Sequence, residues 1–379
     1  MPGRDRVTKT AGRDPAIDVI RALCIVSMTF AHVAYGSPAY RATHGLLWFD
    51  GAMGFVLLSG FVVAIVQRRT LERVDLGAAQ AKALRRGRLV YLAHVGICAL
   101  AFVAASLSVA QSVDYAGVDD FTSWWEPIVA ALTLQINPRN ASILSLYVIL
   151  LLLTPLATWA LARGRTMLLA VPAAGLFVLG TLLPGLFTLP RVPGIPGLIN
   201  WATWQTLYFA AFLAGWHWTR IRGALLRPAV WISLLGAAIL VGALAQARVR
   251  LWPAEGDGFF AMLDALFDDG TLGVGTIALA FTVVAGLYGA LSPFAERWPR
   301  LAAEVGRVGR RSLDCYIILC ILVLVVPAFW QYETRSLAAM VYGAGVLTLM
   351  YGWCRVRDAR QHRRLSAAAS ASGHASATI

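Results

Sequence analysis

The sequence predicts an all-α fold: a polytopic transmembrane helical bundle of about 10 helices, with the N- and C-termini cytoplasmic. Three observations predict it. The 379 residues are 58% hydrophobic and only 14% charged, with a mean hydropathy of +0.66. An ordinary soluble domain runs to about 45–50% apolar and about 25% charged. Apolar stretches of the roughly 20 residues that a helix needs to cross a bilayer recur along the whole chain. Cationic residues, finally, sit between those stretches and favour one side. Soluble doubly wound, sandwich and barrel architectures are excluded.

Taken in order, the apolar windows place helices at 16–35, 47–66, 89–110, 142–162, 166–187, 201–218, 228–247, 271–291, 312–331 and 336–354. A shorter apolar piece at 127–136 follows Glu126-Pro127 and is too short to span, so it is read as an interfacial or re-entrant helix. Segments 1–15 and 355–379 flank a membrane domain over 16–354. The first is a cytoplasmic segment, and the second a basic tail expected to be disordered, its end small and polar. The start, Met1 to Asp14, is polar and shows no small-residue cleavage site, so the first helix is expected to be retained.

Charge orients the bundle. The balance is basic, 33 Lys+Arg against 20 Asp+Glu, but the excess is spread between spans rather than gathered on a polar domain. Membrane insertion explains this better than nucleic acid, and no nucleic-acid partner is expected. With the N-terminus inside, the inward segments hold most of the cations. The outward ones hold only Arg41, Arg139, Arg191, Arg248, Arg250 and Arg335. The outward loops are otherwise acidic, with Asp114, Asp119, Asp120 and Glu126 in one and Glu255, Asp257, Asp264, Asp268 and Asp269 in another. Trp124 and Trp125 suit the headgroup level. The Pro- and Gly-rich 188–200 loop reads as a rigid turn over the outer face. The five cysteines all fall in apolar segments and suggest neither a disulfide framework nor a metal site.

Ionisable groups inside spans cost roughly 2.5–3.5 kcal/mol at helix centre and ask for an explanation. The first helix holds Asp18, Arg21 and His32. Asp18 and Arg21 are three apart and can pair on one face. His32 lies eleven residues beyond Arg21, about three turns and ~16 Å along the axis, on nearly the same side. One helix thus offers a cation for an anionic ligand in its inner half and a titratable imidazole in its outer half. The alternative is a structural Asp18–Arg21 pair at the interface and a hydrogen-bonded interior His32.

In the second span, Asp50 lies at the depth of His32, where a carboxylate can orient the imidazole or bind a sugar hydroxyl. It can equally be a helix-start residue. Ser59-Gly60 allows close backbone approach to a helix or a ligand. His94 and His217 are read near inward helix ends, with His44 in the first outer loop. Asp314, after Arg310-Arg311, suits a helix start.

The run Asp18-Val19-Ile20-Arg21, then His32 after ten intervening residues, and Phe55-Val56-Leu57-Leu58-Ser59-Gly60-Phe61 resemble the opening of membrane-integral acyltransferases. More narrowly the chain resembles the OpgC family, which succinylates osmoregulated periplasmic glucans. Three later stretches carry that narrower likeness: Ile143-Leu144-Ser145-Leu146-Tyr147-Val148, Trp204-Gln205 with Gly215, and Gly306-Arg307-Val308-Gly309-Arg310-Arg311-Ser312-Leu313. The likeness runs from about 15 to 330. The family commonly has an acid and a proline where this chain has Ser142 and Ser145, and a Glu where it has Met53.

The resemblance implies a multi-pass protein of the bacterial inner membrane, moving an acyl group, succinyl for preference, from cytoplasmic acyl-CoA to hydroxyls of an extracytoplasmic glycan. His32 would be the general base with Asp50 beside it. Arg21, Asp18, Ser59, Arg310 and Arg311 would serve the acyl-CoA, and Tyr147, Trp204 and Gln205 the acceptor. Acyl-CoA would be a co-substrate, with no bound cofactor and no metal; the partners are the lipid bilayer and the glycan. A proton-coupled transporter using the same intramembrane charges, or an acyltransferase for a lipid or amino sugar, are the competing readings.

Overall fold

The structure, a computed structural model, describes residues 13–107, 121–192, 197–251, 258–268 and 270–376. Sixteen helices follow one another among them. They are α1 (Pro15–Val33), α2 (Pro38–Thr43), α3 (Gly51–Arg73), α4 (Leu76–Leu107), α5 (Glu126–Leu132), α6 (Ser142–Ala162), α7 (Met167–Leu182) and α8 (Pro184–Phe187). After these come α9 (Trp201–Trp216), α10 (Trp218–Leu225), α11 (Pro228–Leu251), α12 (Phe259–Leu266), α13 (Val274–Arg297), α14 (Pro299–Arg310), α15 (Ser312–Phe329) and α16 (Leu337–Ser376). Among the described residues no strand forms beyond an isolated bridge between Thr188 and Asn200. The all-α polytopic expectation holds. Of the acidic outer-loop residues, Asp114, Asp119, Asp120, Glu255, Asp257 and Asp269 lie outside the described residues, as do 1–12 of the N-terminal segment.

Each of the ten apolar windows contains a helix. Eight of these helices are long and apolar enough to cross a membrane: α1, α3, α4, α6, α11, α13, α15 and α16. The other two windows form α7 and α9, of 16 residues each. At 1.5 Å per residue they reach ~24 Å, short of the ~30 Å hydrocarbon core. The 166–187 window breaks at Pro184, which begins α8. The 127–136 piece yields only the seven-residue α5.

Several helices outrun their windows, because apolar windows measure lipid contact whereas helices continue through good polar helix formers. Helix α4 starts at Leu76, well before 89, through an Ala-, Arg- and Leu-rich stretch. Residues 355–376, expected as a disordered tail, instead continue α16. Two causes are visible: alanine-rich composition favours helix, and Asp358 is clamped by Arg307 at 2.7 Å and Arg311 at 2.8 Å.

Helix α1 sits at the centre, packed against α3, α13, α14, α15 and α16. Helices α1 and α3 are buried along most of their length, whereas α7 and α11 present mostly exposed apolar side chains. In lipid, apolar burial does not distinguish one helix pairing from another, so close backbone approach at small residues decides the neighbours. Gly309 of α14 is such a place: a Cβ there would stand 1.8 Å from the Asp18 carbonyl oxygen of α1. Helices α3 and α9 interlock reciprocally, Gly60 against the Tyr208 carbonyl and Gly215 against that of Phe61, each leaving 2.2 Å for a Cβ.

Candidate functional site

Two polar cavities lie at opposite ends of α1, and both are built by what packs on that helix. At its C-terminal end, α3 begins against α1 so closely that a Cβ on Gly51 would sit 2.6 Å from the Cys24 carbonyl oxygen. That contact fixes Asp50 beside α1. Asp50 caps α3, its Oδ1 accepting from the Met53 N–H at 2.8 Å. The carboxylate also lines a cavity of about 320 Å³ together with His32, His44, Arg139, Asn140, Arg191 and Trp204. Asp50 is thus both a helix cap and a cavity residue. Trp204 is oriented by its indole N–H, which donates to the Gly270 carbonyl at 3.3 Å.

His44 completes one wall, stacked on Tyr40 with ring centroids 4.2 Å apart and with Ser27 Oγ 3.3 Å from its Nε2. Burial pushes its pKa below the usual 6.5, which favours the neutral ring. Sequence reasoning left Arg139, Arg191 and Asn140 out of the site. Their placement follows from Asn137, whose Nδ2 donates to the carbonyls of Leu134 at 3.0 Å and Pro190 at 2.6 Å, and whose N–H donates to that of Arg191. This buried amide joins the segment before α6 to the loop after α8.

Behind it stands His94. Helix α4 begins so early that His94 lies mid-helix, fully buried, rather than near an inward end. The Ser145 hydroxyl donates to Asn137 Oδ1 at 2.5 Å, and His94 Nδ1 stands 3.2 Å from Ser145 Oγ. With the only hydroxyl proton of Ser145 given to Asn137, the N–H of that contact belongs to His94. Ser145, where the acyltransferase pattern commonly differs, therefore positions the joint.

At the other end, α14 brings Arg310 and Arg311 against α1. With Arg13, Asp358, Gln361 and His362 they line a cleft of about 310 Å³. Asp358 answers much of that charge, meeting Arg310 and Arg311, and it also pairs with Arg307 beyond the lining. Asp18 faces Arg13 at 3.7 Å. Arg21, only 4% exposed, donates from Nη2 to Ser312 Oγ at 2.5 Å, while its Nε has no partner. Arg21 lines neither of the two cavities, which share no residue.

Three other candidates are held in packing. Tyr147 donates to the Phe55 carbonyl at 3.0 Å and ties α6 to α3. Gln205 Nε2 donates to the Ala173 carbonyl at 2.8 Å and ties α9 to α7. Ser59 is buried beside the α3–α9 crossing at Gly60. None of the three lines the His32 cavity, whereas Trp204 does. Among the described residues, no three His, Cys, Asp or Glu side chains gather where a metal ion could be held.

An all-α bundle with central charged helices, a polar cavity at one end and a basic cleft at the other defines an integral, multi-pass membrane protein. No curated protein matches the chain. The pattern of the OpgC protein family, however, matches residues 13–362, nearly the whole length, and the chain belongs to that family. Membership implies a transferase.

Proposed function

We propose that the chain is an O-acyltransferase of the bacterial cytoplasmic membrane. It moves an acyl group, succinyl by family likeness, from cytoplasmic acyl-CoA to hydroxyls of a glycan outside. The observation that supports this best is that His32 and Asp50, from different helices, share one cavity with Trp204 at the end of the bundle opposite the basic cleft.

In this reading the His32 imidazole takes the proton of a sugar hydroxyl as its oxygen attacks the thioester carbonyl. The C–S bond then breaks, the imidazolium returns the proton to the leaving thiolate, and an oxygen ester and free CoA result. Asp50 favours the imidazolium formed midway, and Trp204 offers a stacking face for the sugar. Arg310 and Arg311, with Arg13, attract the CoA phosphates at the inner cleft. Arg21, ~16 Å below His32 on the same helix, holds an anionic or carbonyl oxygen of the donor along its path. Asp18 steadies Arg13 at the cleft. Ser59 keeps the α3–α9 crossing narrow beside that path, and Tyr147 and Gln205 fix the walls through α3 and α7.

The test is transfer across a sealed membrane. In proteoliposomes with acyl-CoA on the Arg310 side and glycan on the His32 side, CoA thiol should appear with the donor while ester appears on the glycan. Solute flux with no thiol released would contradict the proposal and favour a transporter. Ester found on lipid or on an amine would change the acceptor.

A further inference from the structure

Arginine on the outward side of a membrane protein runs against the positive-inside tendency, so each instance asks for a use. Of the outward arginines, Arg248 is paired with Asp264 at 2.6 Å. Arg139 and Arg191 both line the His32 cavity. They come from segments some fifty residues apart in sequence, brought together by the Asn137 joint. Arg139 takes a left-handed backbone conformation, φ 52°, which is uncommon for a side-chain-bearing residue. The next residue is pinned on its far side, where the Asn140 carbonyl accepts from Tyr316 Oη at 2.7 Å.

Asn140 supplies a second and independent sign. It is 5% exposed and lines the cavity, yet neither Oδ1 nor Nδ2 of its carboxamide has a hydrogen-bond partner. Buried amides are rarely left so. Among the described residues, the other titratable groups on the wall are Asp50, His32 and His44.

We propose that Arg139, Arg191 and Asn140 form an oxyanion subsite beside His32, which takes a carboxylate or phosphate-type group carried by one of the two substrates. Guanidinium forks match the planar spread of such oxygens, and the Asn140 amide adds a neutral donor. Because one cavity of about 320 Å³ holds both subsite and base, the anion lies within a few bonds of the reacting carbon. It is therefore the far end of a short dicarboxylic acyl group or an anionic substituent on the sugar. Only the question of which substrate carries it rests on the acyl-transfer reading.

The first arm needs no turnover. Thermal unfolding of the purified full-length protein is followed in potassium succinate, phosphate or chloride at equal ionic strength. Succinate or phosphate should raise the midpoint over chloride, and Arg191→Gln should lose that rise. Indifference of the wild type to these anions, or an unchanged rise in Arg191→Gln, overturns the subsite. If Arg191→Gln does not fold, Asn140→Asp, close in shape and opposed in charge, serves the same comparison.

The second arm identifies the carrier. If the donor carries the anion, the kcat/KM ratio for succinyl-CoA over acetyl-CoA should fall about tenfold to a hundredfold in Arg191→Gln. If the acceptor carries it, the same loss should appear in the ratio for a phosphate-bearing over a neutral glucan. Equal slowing for every pair overturns the assignment. A wild type stabilised by anions that transfers no acyl group refutes the acyl-transfer reading and leaves the subsite standing.

Discussion

The basic cleft and the His32 cavity differ in how far their polar side chains are already satisfied. The cleft has more arginines, but Asp358 meets two of them, Arg310 and Arg311, so much of its charge already ties the end of α14 to α16. The His32 cavity is lined, among the described residues, by two arginines, a carboxylate, two imidazoles and a carboxamide whose polar atoms are unsatisfied. A tally of charge would choose the first as the functional site. Unused hydrogen-bonding capacity in a buried place chooses the second, because a fold tolerates it at a cost of about 1–3 kcal/mol per group unless a ligand offsets it.

The largest expected contrast between the regions is kinetic. Arg21→Ala removes a buried cation from the proposed donor path and should raise the KM for acyl-CoA by about tenfold to a hundredfold, with a smaller change in KM for glycan. Steady-state kinetics with each substrate varied would show it. An equal rise in both KM values would place Arg21 outside donor binding.

Next is Asp50→Asn. Asparagine caps a helix as well as aspartate does, so the unfolding midpoint should stay within a degree or two. Losing the negative charge beside His32 should lower kcat about tenfold or more. A lowered midpoint with unchanged kcat would reduce Asp50 to its capping role.

Packing comes third. Gly309→Ala places a methyl where only 1.8 Å is free beside the Asp18 carbonyl. Pushing α14 off α1 should cost roughly 1–3 kcal/mol, seen as a lower unfolding midpoint. Gly345→Ala, with nothing within 4 Å of the added carbon, is the control and should be near neutral.

The smallest effects are in pH dependence, and they separate the two ends. His44 is held neutral by burial, so the folded state binds fewer protons than the unfolded one. Its contribution is present above pH 6.5 and falls as the pH drops below that value. Arg307 and Tyr351, by contrast, hold the Glu304 carboxyl down at about 2 against the ordinary 4.5. That contribution is full above pH 4.5 and is lost as the pH falls through about 2. His44→Gln should flatten the first part of a midpoint–pH curve and Glu304→Gln the second. One slope responding to both variants would mean that the two ends do not titrate independently.

The spans were legible in the sequence because lipid contact requires long apolar runs, and all ten windows hold helices. Their true ends were not, since Leu76–Leu89 and 355–376 are helical through propensity and packing that hydropathy does not register. His32, Asp50 and Trp204 could be grouped because intramembrane ionisable groups and interfacial aromatics are rare and stand out. Arg139, Arg191 and Asn140 escaped, although two of them were already in view as cations on the wrong side. What the sequence conceals is the Asn137 joint that carries them to His32. Tyr147 and Gln205 show the converse: their donor groups look available in a sequence, and only the fold reveals that backbone carbonyls take the Tyr147 Oη and Gln205 Nε2 hydrogens.

The most direct test is the glycan itself. Cell-envelope glucans from cells making the wild type, His32→Ala or no protein would be compared by mass spectrometry at matched membrane protein levels. With the wild type, glucans should gain the mass of an ester-linked acyl group. With His32→Ala they should match those made without the protein. Full acylation by His32→Ala would contradict the account at its centre.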